Sequence, residues 1–225
     1  MNPPSTLPLP FARAALAALA AGALLSSPVL AQSREGGSSL RVGIIGGGSS
    51  TTIGGKDADD AERRTGFLAG AYLVKPFAGS LALRPELLLS QKGAKTTVVE
   101  DDVAAKVELK LTYIDIPVLL QYEPSAAAAT VRPHLYAGPS FGFKSNCKLE
   151  ASAGDISGSV DCDDDFDLKS FDLGGVVGGG IGFPLGGVGA TVGARYQHGF
   201  SDIAKDATVK NRVFSLYASV EFGTR

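Results

Sequence analysis

Four arginines and four carboxylates stand in the middle of apolar, alternating segments of this 225-residue chain. They are Arg41, Arg84, Arg132 and Arg195, with Glu86, Asp115, Asp172 and Glu221; His134 stands among them. Guanidinium and carboxylate in equal number can pair away from water, bind a charged ligand or line an ion path. A dry interior demands pairing, because each uncompensated charge there costs several kcal/mol. The spacing therefore predicts an interior charge network.

Other groups are weaker candidates. His198, Ser201 and Asp202 contain the residue types of a nucleophile, a base and a carboxylate, as a lipid hydrolase needs. Their spacing matches no hydrolase motif, and no G-x-S-x-G elbow is present. Asp161, Asp163, Asp164, Asp165 and Asp167 form an oxygen-rich run. It lacks the spacing and closing Glu of an EF-hand, so a solvated acidic loop is expected rather than a calcium site. The runs Gly46 to Gly48 and Gly178 to Gly180 are not phosphate loops, since no Gly-Lys-Ser/Thr follows. No catalytic constellation, metal site or cofactor is expected. Cys147 and Cys162 lie in one polar segment, and a disulfide between them is expected in an oxidising compartment.

The elements that carry these residues read as strands. Gly is used 29 times, Trp is absent and Met occurs once, which fits Gly-punctuated strands better than a helical core. Strands are predicted over 40–49, 66–75, 80–90, 108–122, 131–144, 170–183, 188–200 and 210–222. The connections 76–79, 123–130 and 184–187 are short or built of small residues. The connections 50–65, 91–107, 145–169 and 201–209 are longer and polar. They alternate strictly, which is the asymmetry of a transmembrane barrel with short periplasmic turns and longer outer loops. The fold class predicted is all-β: an eight-stranded antiparallel up-and-down transmembrane β-barrel over 40–223.

Alternation defines two faces. In the fourth strand Ile114, Ile116, Val118 and Leu120 oppose Tyr113, Asp115 and Gln121. The second strand is apolar on both parities and gives no orientation. Three features put the polar face inside. It is poor in Lys, which is almost confined to loops and strand ends. Its charges balance. Aromatics on the apolar face gather at strand ends: Tyr122, Phe183 and Phe222 at one, Phe141, Phe143, Phe171, Phe200 and Phe214 at the other. Two such girdles bracketing an aliphatic band suit the two membrane interfaces. Pro85, Pro117, Pro133 and Pro139 run against paired strands, since proline removes a ladder donor; bulges are where they are expected.

The first 31 residues read as a cleaved signal peptide. Arg13 precedes an apolar run, residues 14–25, too short to span a bilayer, and Val29, Leu30 and Ala31 form a small-residue cleavage site. Residues 32–39 form a short lead into the barrel. Charge is nearly balanced, 21 Lys+Arg against 23 Asp+Glu, so nucleic acid is excluded as a partner class.

At this point an ordered set of segments resembles the PorT-type outer membrane β-barrel domain family. The segments are RPELLLSQKGAK (84–95), LTYIDIPVLLQYE (111–123), RPHLYAGPSFG (132–142), GGGIGF (178–183) and RYQHGFSDI (195–203). The resemblance implies an integral protein of the outer membrane of a Gram-negative bacterium, reached by export, and little chemistry. It implies outer membrane lipid and the barrel insertion machinery as partners. Phe222 would be the aromatic read during insertion, although such barrels usually end on the aromatic and three residues follow here. An eight-stranded interior is just wide enough for its own side chains, so a polar plug is expected, not an open pore. The leading role is structural or interactive, with an unknown protein partner contacting the outer loops. A lipid-modifying enzyme is the alternative. A soluble lipocalin-like carrier, with the apolar face inside, is the least favoured.

Overall fold

The computed structural model describes residues 40–56, 61–100, 103–124, 131–153, 156–162, 168–204 and 207–223. The signal peptide over 1–31, the lead over 32–39, and Asp163, Asp164, Asp165 and Asp167 lie outside them.

Nine strands follow one another among the described residues: β1 Arg41–Gly54, β2 Arg64–Ala78, β3 Leu81–Glu100, β4 Val103–Tyr122, β5 Arg132–Ala153, β6 Ile156–Asp161, β7 Phe171–Leu185, β8 Val188–Gly199 and β9 Lys210–Phe222. They form one sheet in the order β4-β3-β2-β1-β9-β8-β7-β5-β6, and β4 pairs with β5 to close it. Among the described residues strand β6 pairs with β5 alone, so eight strands make the ring. Every pairing in the ring is antiparallel and joins consecutive strands, except that β5 pairs with β7 past β6 and β1 pairs with β9 across the two ends. The architecture is the expected up-and-down barrel, and closure leaves the ring no edge to protect.

Both chain ends of the barrel share one mouth with the tight turns. At the β7–β8 turn Gly186 and Gly187 have φ of +55° and +96°, the pair of left-handed positions that a two-residue hairpin of the favoured twist needs. Two of the turns, residues 79–80 and 186–187, are shorter than the sequence predicted. Pro76 and Pro184, expected in turns, stay in their strands opposite Ala82 and Gly189.

The prolines within strands also sit differently from expectation. Pro85, Pro117, Pro133 and Pro139 oppose Val118, Ser140, Ile181 and Gly175 within unshifted registers, not at bulges. After Pro85 the β3–β4 ladder lapses for two residues and resumes in the same register at Leu88 and Asp115. A missing N–H removes one rung and leaves the rest of the strand aligned. Register shifts occur instead at Pro76/Ala78 and at Thr112/Tyr113.

Burial settles the faces. Arg84, Glu86, Asp115, Gln121, Asp172 and Arg195 are buried, whereas Leu87, Leu120, Leu135, Val177, Val192 and Leu216 are exposed. The polar face is inside and the apolar face outside, so the carrier reading has its faces inverted. Strand β2, which alternation could not orient, turns Leu68, Tyr72 and Val74 inward and Phe67 and Leu73 outward.

Two expected loops are largely strand. Residues 91–107 contain the outer ends of β3 and β4, and 145–169 contain the end of β5 and all of β6. The physical reason is a change of solvent along one strand. Within the lipid band the outward residues of β3 and β4 are Leu87, Leu89, Ile114 and Ile116, and the inward ones are mostly polar. Beyond Lys92 the same outward parity carries Lys95, Lys106, Glu108 and Lys110. The inward parity there becomes Ala94, Leu109 and Leu111; the two leucines join Ile53, Cys147, Leu149, Ile203 and Val209 in a second apolar cluster. The wall keeps its pleat and exchanges its chemistry where it leaves the membrane.

Candidate functional site

The barrel interior is stacked with charges from different strands. Near the turn mouth Arg41 pairs with Glu123 and, at 3.4 Å, with Glu221. Gln121 braces this layer and donates to Glu123 at 2.5 Å. In the middle layer two guanidiniums share one carboxylate. Arg84 Nε donates to Glu86 Oε1 at 2.8 Å and Arg195 Nη1 to Glu86 Oε2 at 2.6 Å. Arg84 also donates to Gln121 at 3.0 Å and lies 4.0 Å above the centre of the Tyr72 ring. Cation–π contact of this kind helps hold a desolvated guanidinium. In the outer layer the ratio reverses. Lys92 Nζ donates to Asp115 at 2.9 Å and to Asp172 at 3.2 Å, and lies 4.4 Å from the centre of the Tyr113 ring. Ser90 donates to the other Asp115 oxygen, and Asn211 to Asp172 at 2.8 Å.

The middle layer thus carries one surplus cation and the outer layer one surplus anion. These two layers together balance, three cations to three carboxylates, while at the mouth Arg41 faces both Glu123 and Glu221. Arg84 and Lys92 are 2% and 0% exposed. Cations so thoroughly buried are tolerated only when paired and hydrogen-bonded.

Of the expected network, Arg41, Arg84, Glu86, Asp115, Asp172, Arg195 and Glu221 are in ion pairs. His134 is buried and stacks on Tyr136 with ring centres 6.0 Å apart. Arg132 departs from the expectation: it is the first residue of β5 and is exposed at the turn mouth. Lys92 joins the network although its sequence reading placed it in a loop. The signal that could have found it is the unbroken parity Arg84, Glu86, Leu88, Ser90, Lys92 along β3.

Tyrosines fill the space between layers. Tyr72 donates to Ser219 at 3.1 Å, and Tyr217 to the Gly179 carbonyl at 3.3 Å. Facing glycines make room for the rings. A Cβ on Gly193 would lie 2.5 Å from Tyr217 Cζ, closer than any packed carbon can sit.

His198 and Ser201 do not come together. Ser201 Oγ accepts from the Leu173 amide at 2.8 Å and donates to Asp172 at 3.3 Å, which ties it to the interior cluster. His198 shares the outward parity of Tyr196 and Phe200, stacks on the first ring and meets the second edge-on.

Above the membrane band, β3, β4, β5 and β6 make an amphipathic sheet. Its outer face carries Lys110 paired with Glu150, and Lys148 3.9 Å from Asp161. Lys110 holds the Glu150 carboxyl below the usual carboxylate range. The Cys147–Cys162 disulfide is present and joins β5 to the end of β6 inside the second apolar cluster. It closes a separation of 15 residues, which the chain-entropy account values at about 3 kcal/mol. Reduction is therefore expected to open protease cleavage between residues 148 and 161 while the barrel keeps its heat-modifiable gel band. Limited proteolysis with and without reductant checks this.

Aromatic girdles bracket the lipid band as expected. Tyr122, Phe183 and Phe222 are exposed near the turn mouth, and Phe143, Phe171, Phe200 and Phe214 toward the other end. Phe77 and Phe67 add one ring to each. Phe141 is half-buried.

One comparison with known proteins agrees with this architecture. The family model described as outer membrane protein beta-barrel domain matches residues 30–205. No curated protein matches the chain. Among solved structures, Neisserial surface protein A is similar at 18% identity and a TM-score of 0.49, covering 84% of this chain and 100% of that one. The outer membrane protein OprG of Pseudomonas aeruginosa is similar at 13% identity and 0.40, covering 84% and 99%. The outer membrane enzyme PagL is similar at 14% identity and 0.40, covering 82% and 99%.

Proposed function

From the premise that the chain belongs to the outer membrane protein beta-barrel domain family and is an integral outer membrane protein, we propose that it is a closed structural or interaction barrel that presents its outer sheet to a partner. The interior charge stack carries this reading. Arg84, Glu86, Arg195, Lys92, Asp115 and Asp172 pair across the interior from several strands, and Gln121, bonded to both Arg84 and Glu123, ties the middle layer to the mouth layer. Opening a water-filled path would require those pairs to separate. The outer sheet is instead stapled by a disulfide and held on its own apolar cluster, as a presented surface requires.

The PorT-type branch of the family is part of the same proposal, on the motifs over 84–95, 111–123 and 195–203. Outer membrane lipid and the insertion machinery are the partners it needs to reach its place, with Phe222 as the aromatic read at insertion. A lipid-modifying enzyme is the weaker reading: Ser201 is bonded inward to Asp172, away from the outward ring of His198.

Single-channel recording in planar bilayers tests the closed interior. The purified barrel is expected to add no steady conductance to the lipid baseline. A stable ohmic step at neutral pH would overturn the closed reading and return the charge stack to the role of an ion path.

A further inference from the structure

Strand β6 is an open edge in an otherwise closed sheet. Among the described residues it pairs with β5 alone, from Lys148↔Asp161 to Ala153↔Ile156, and all six of its residues are exposed. Ile156 is 80% exposed and Val160 58%. Each shares a face with its partner, Ala153 and Leu149 respectively. These partners lie ten and six residues past Phe143 of the outer girdle, roughly 33 and 20 Å further along the strand. Ile156 and Val160 therefore stand clear of the acyl chains that cover Leu135 or Val177.

The sequence of the edge says what covers it. Ile156, Ser157, Gly158, Ser159 and Val160 read as a palindrome in residue type, with Gly158 at its centre. Antiparallel pairing of two such edges matches Ile156 with Val160, Ser157 with Ser159, and Gly158 with its own copy. Directly opposed β-branched pairs and hydroxyl pairs are favourable cross-strand contacts. An unpaired edge is a template for the addition of a strand. We propose that β6 is a homotypic docking edge, occupied by β6 of a second copy of this chain.

Orientation follows from the pairing. Antiparallel addition keeps the apolar face on one side and reverses the strand, so the second barrel points its outer end at the first. The contact joins barrels in facing membranes. It is also set to be weak, because Asp155 and Asp161 flank the palindrome in sequence and like charges across a strand pair destabilise it. Salt should strengthen it.

The proposal rests on the outer sheet being the contact surface, and the test separates the two. The full chain is reconstituted in phosphatidylcholine vesicles, and each variant is first required to show the heat-modifiable band of a folded barrel. Wild-type vesicles are expected to cluster by light scattering, more so at high than at low salt. Asp161→Asn should raise clustering severalfold, and Ile156→Lys with Val160→Lys should reduce it at least severalfold. Gly158→Cys should give a covalent dimer under mild oxidation; Lys106→Cys should not. Dispersed wild-type vesicles overturn the proposal. So does clustering that survives the double Lys variant or leaves the Gly158→Cys variant unlinked. In that case, loss of clustering after trypsin shaving of the outer surface keeps the contact reading and rejects strand pairing. Persistence after shaving rejects both.

Discussion

Replacing Lys92 with Met is expected to cost about 3–5 kcal/mol of stability, because it strands two buried carboxylates. Asp115 and Asp172 lie 2.9 and 3.2 Å from the ammonium and have no other cation in their layer among the described residues. Their remaining donors, Ser90, Ser201 and Asn211, are neutral. The folded fraction can be followed in urea by the heat-modifiable band. The companion experiment removes the charges together: Lys92→Met with Asp115→Asn and Asp172→Asn. A buried ion cluster replaced by neutral groups of similar volume is often isoenergetic or better. The triple variant should therefore regain most of the lost stability. An unaffected single variant would mean that the outer layer is hydrated and does not hold the barrel together.

Val177→Arg has the second large effect, and it reads the other face. Val177 lies midway along β7 between Phe171 and Phe183, one in each girdle, and is 57% exposed. In a water-soluble barrel an arginine at such a site changes stability by a few tenths of a kcal/mol. At the midplane of a bilayer it costs about 2–4 kcal/mol. The loss should shrink toward zero for Lys106→Arg, which faces solvent above the band. Equal effects at the two positions would contradict the placement of the membrane.

Much of this architecture is legible in the residues themselves. Closed all-β topology follows from the strict alternation of short and long connections. Inward polar parity follows from Arg84, Asp115 and Arg195 standing in strands whose other face is aliphatic. Cys147 and Cys162 pair on compartment chemistry alone. The largest miss has one cause. Polarity reads as the mark of a loop, so the outward lysines of 91–107 end β3 and β4 too early, and Lys92 falls out of the network. In a membrane strand, polarity marks which solvent lies outside. A stretch that turns polar outside and apolar inside at the same residue has crossed an interface without ending. Arg132 shows the converse error: correct parity at a strand end carries no burial. The prolines mislead because a lost rung is not a lost register.

The most direct test of the inside-out barrel uses the absence of Trp from the chain. Val177→Trp supplies one fluorophore in the lipid band, and vesicles of lipids brominated deep in their acyl chains supply the quencher. Strong quenching by the brominated lipid with little by aqueous acrylamide is the predicted result. Quenching by acrylamide with none from the bromines would put Val177 in water and contradict the account.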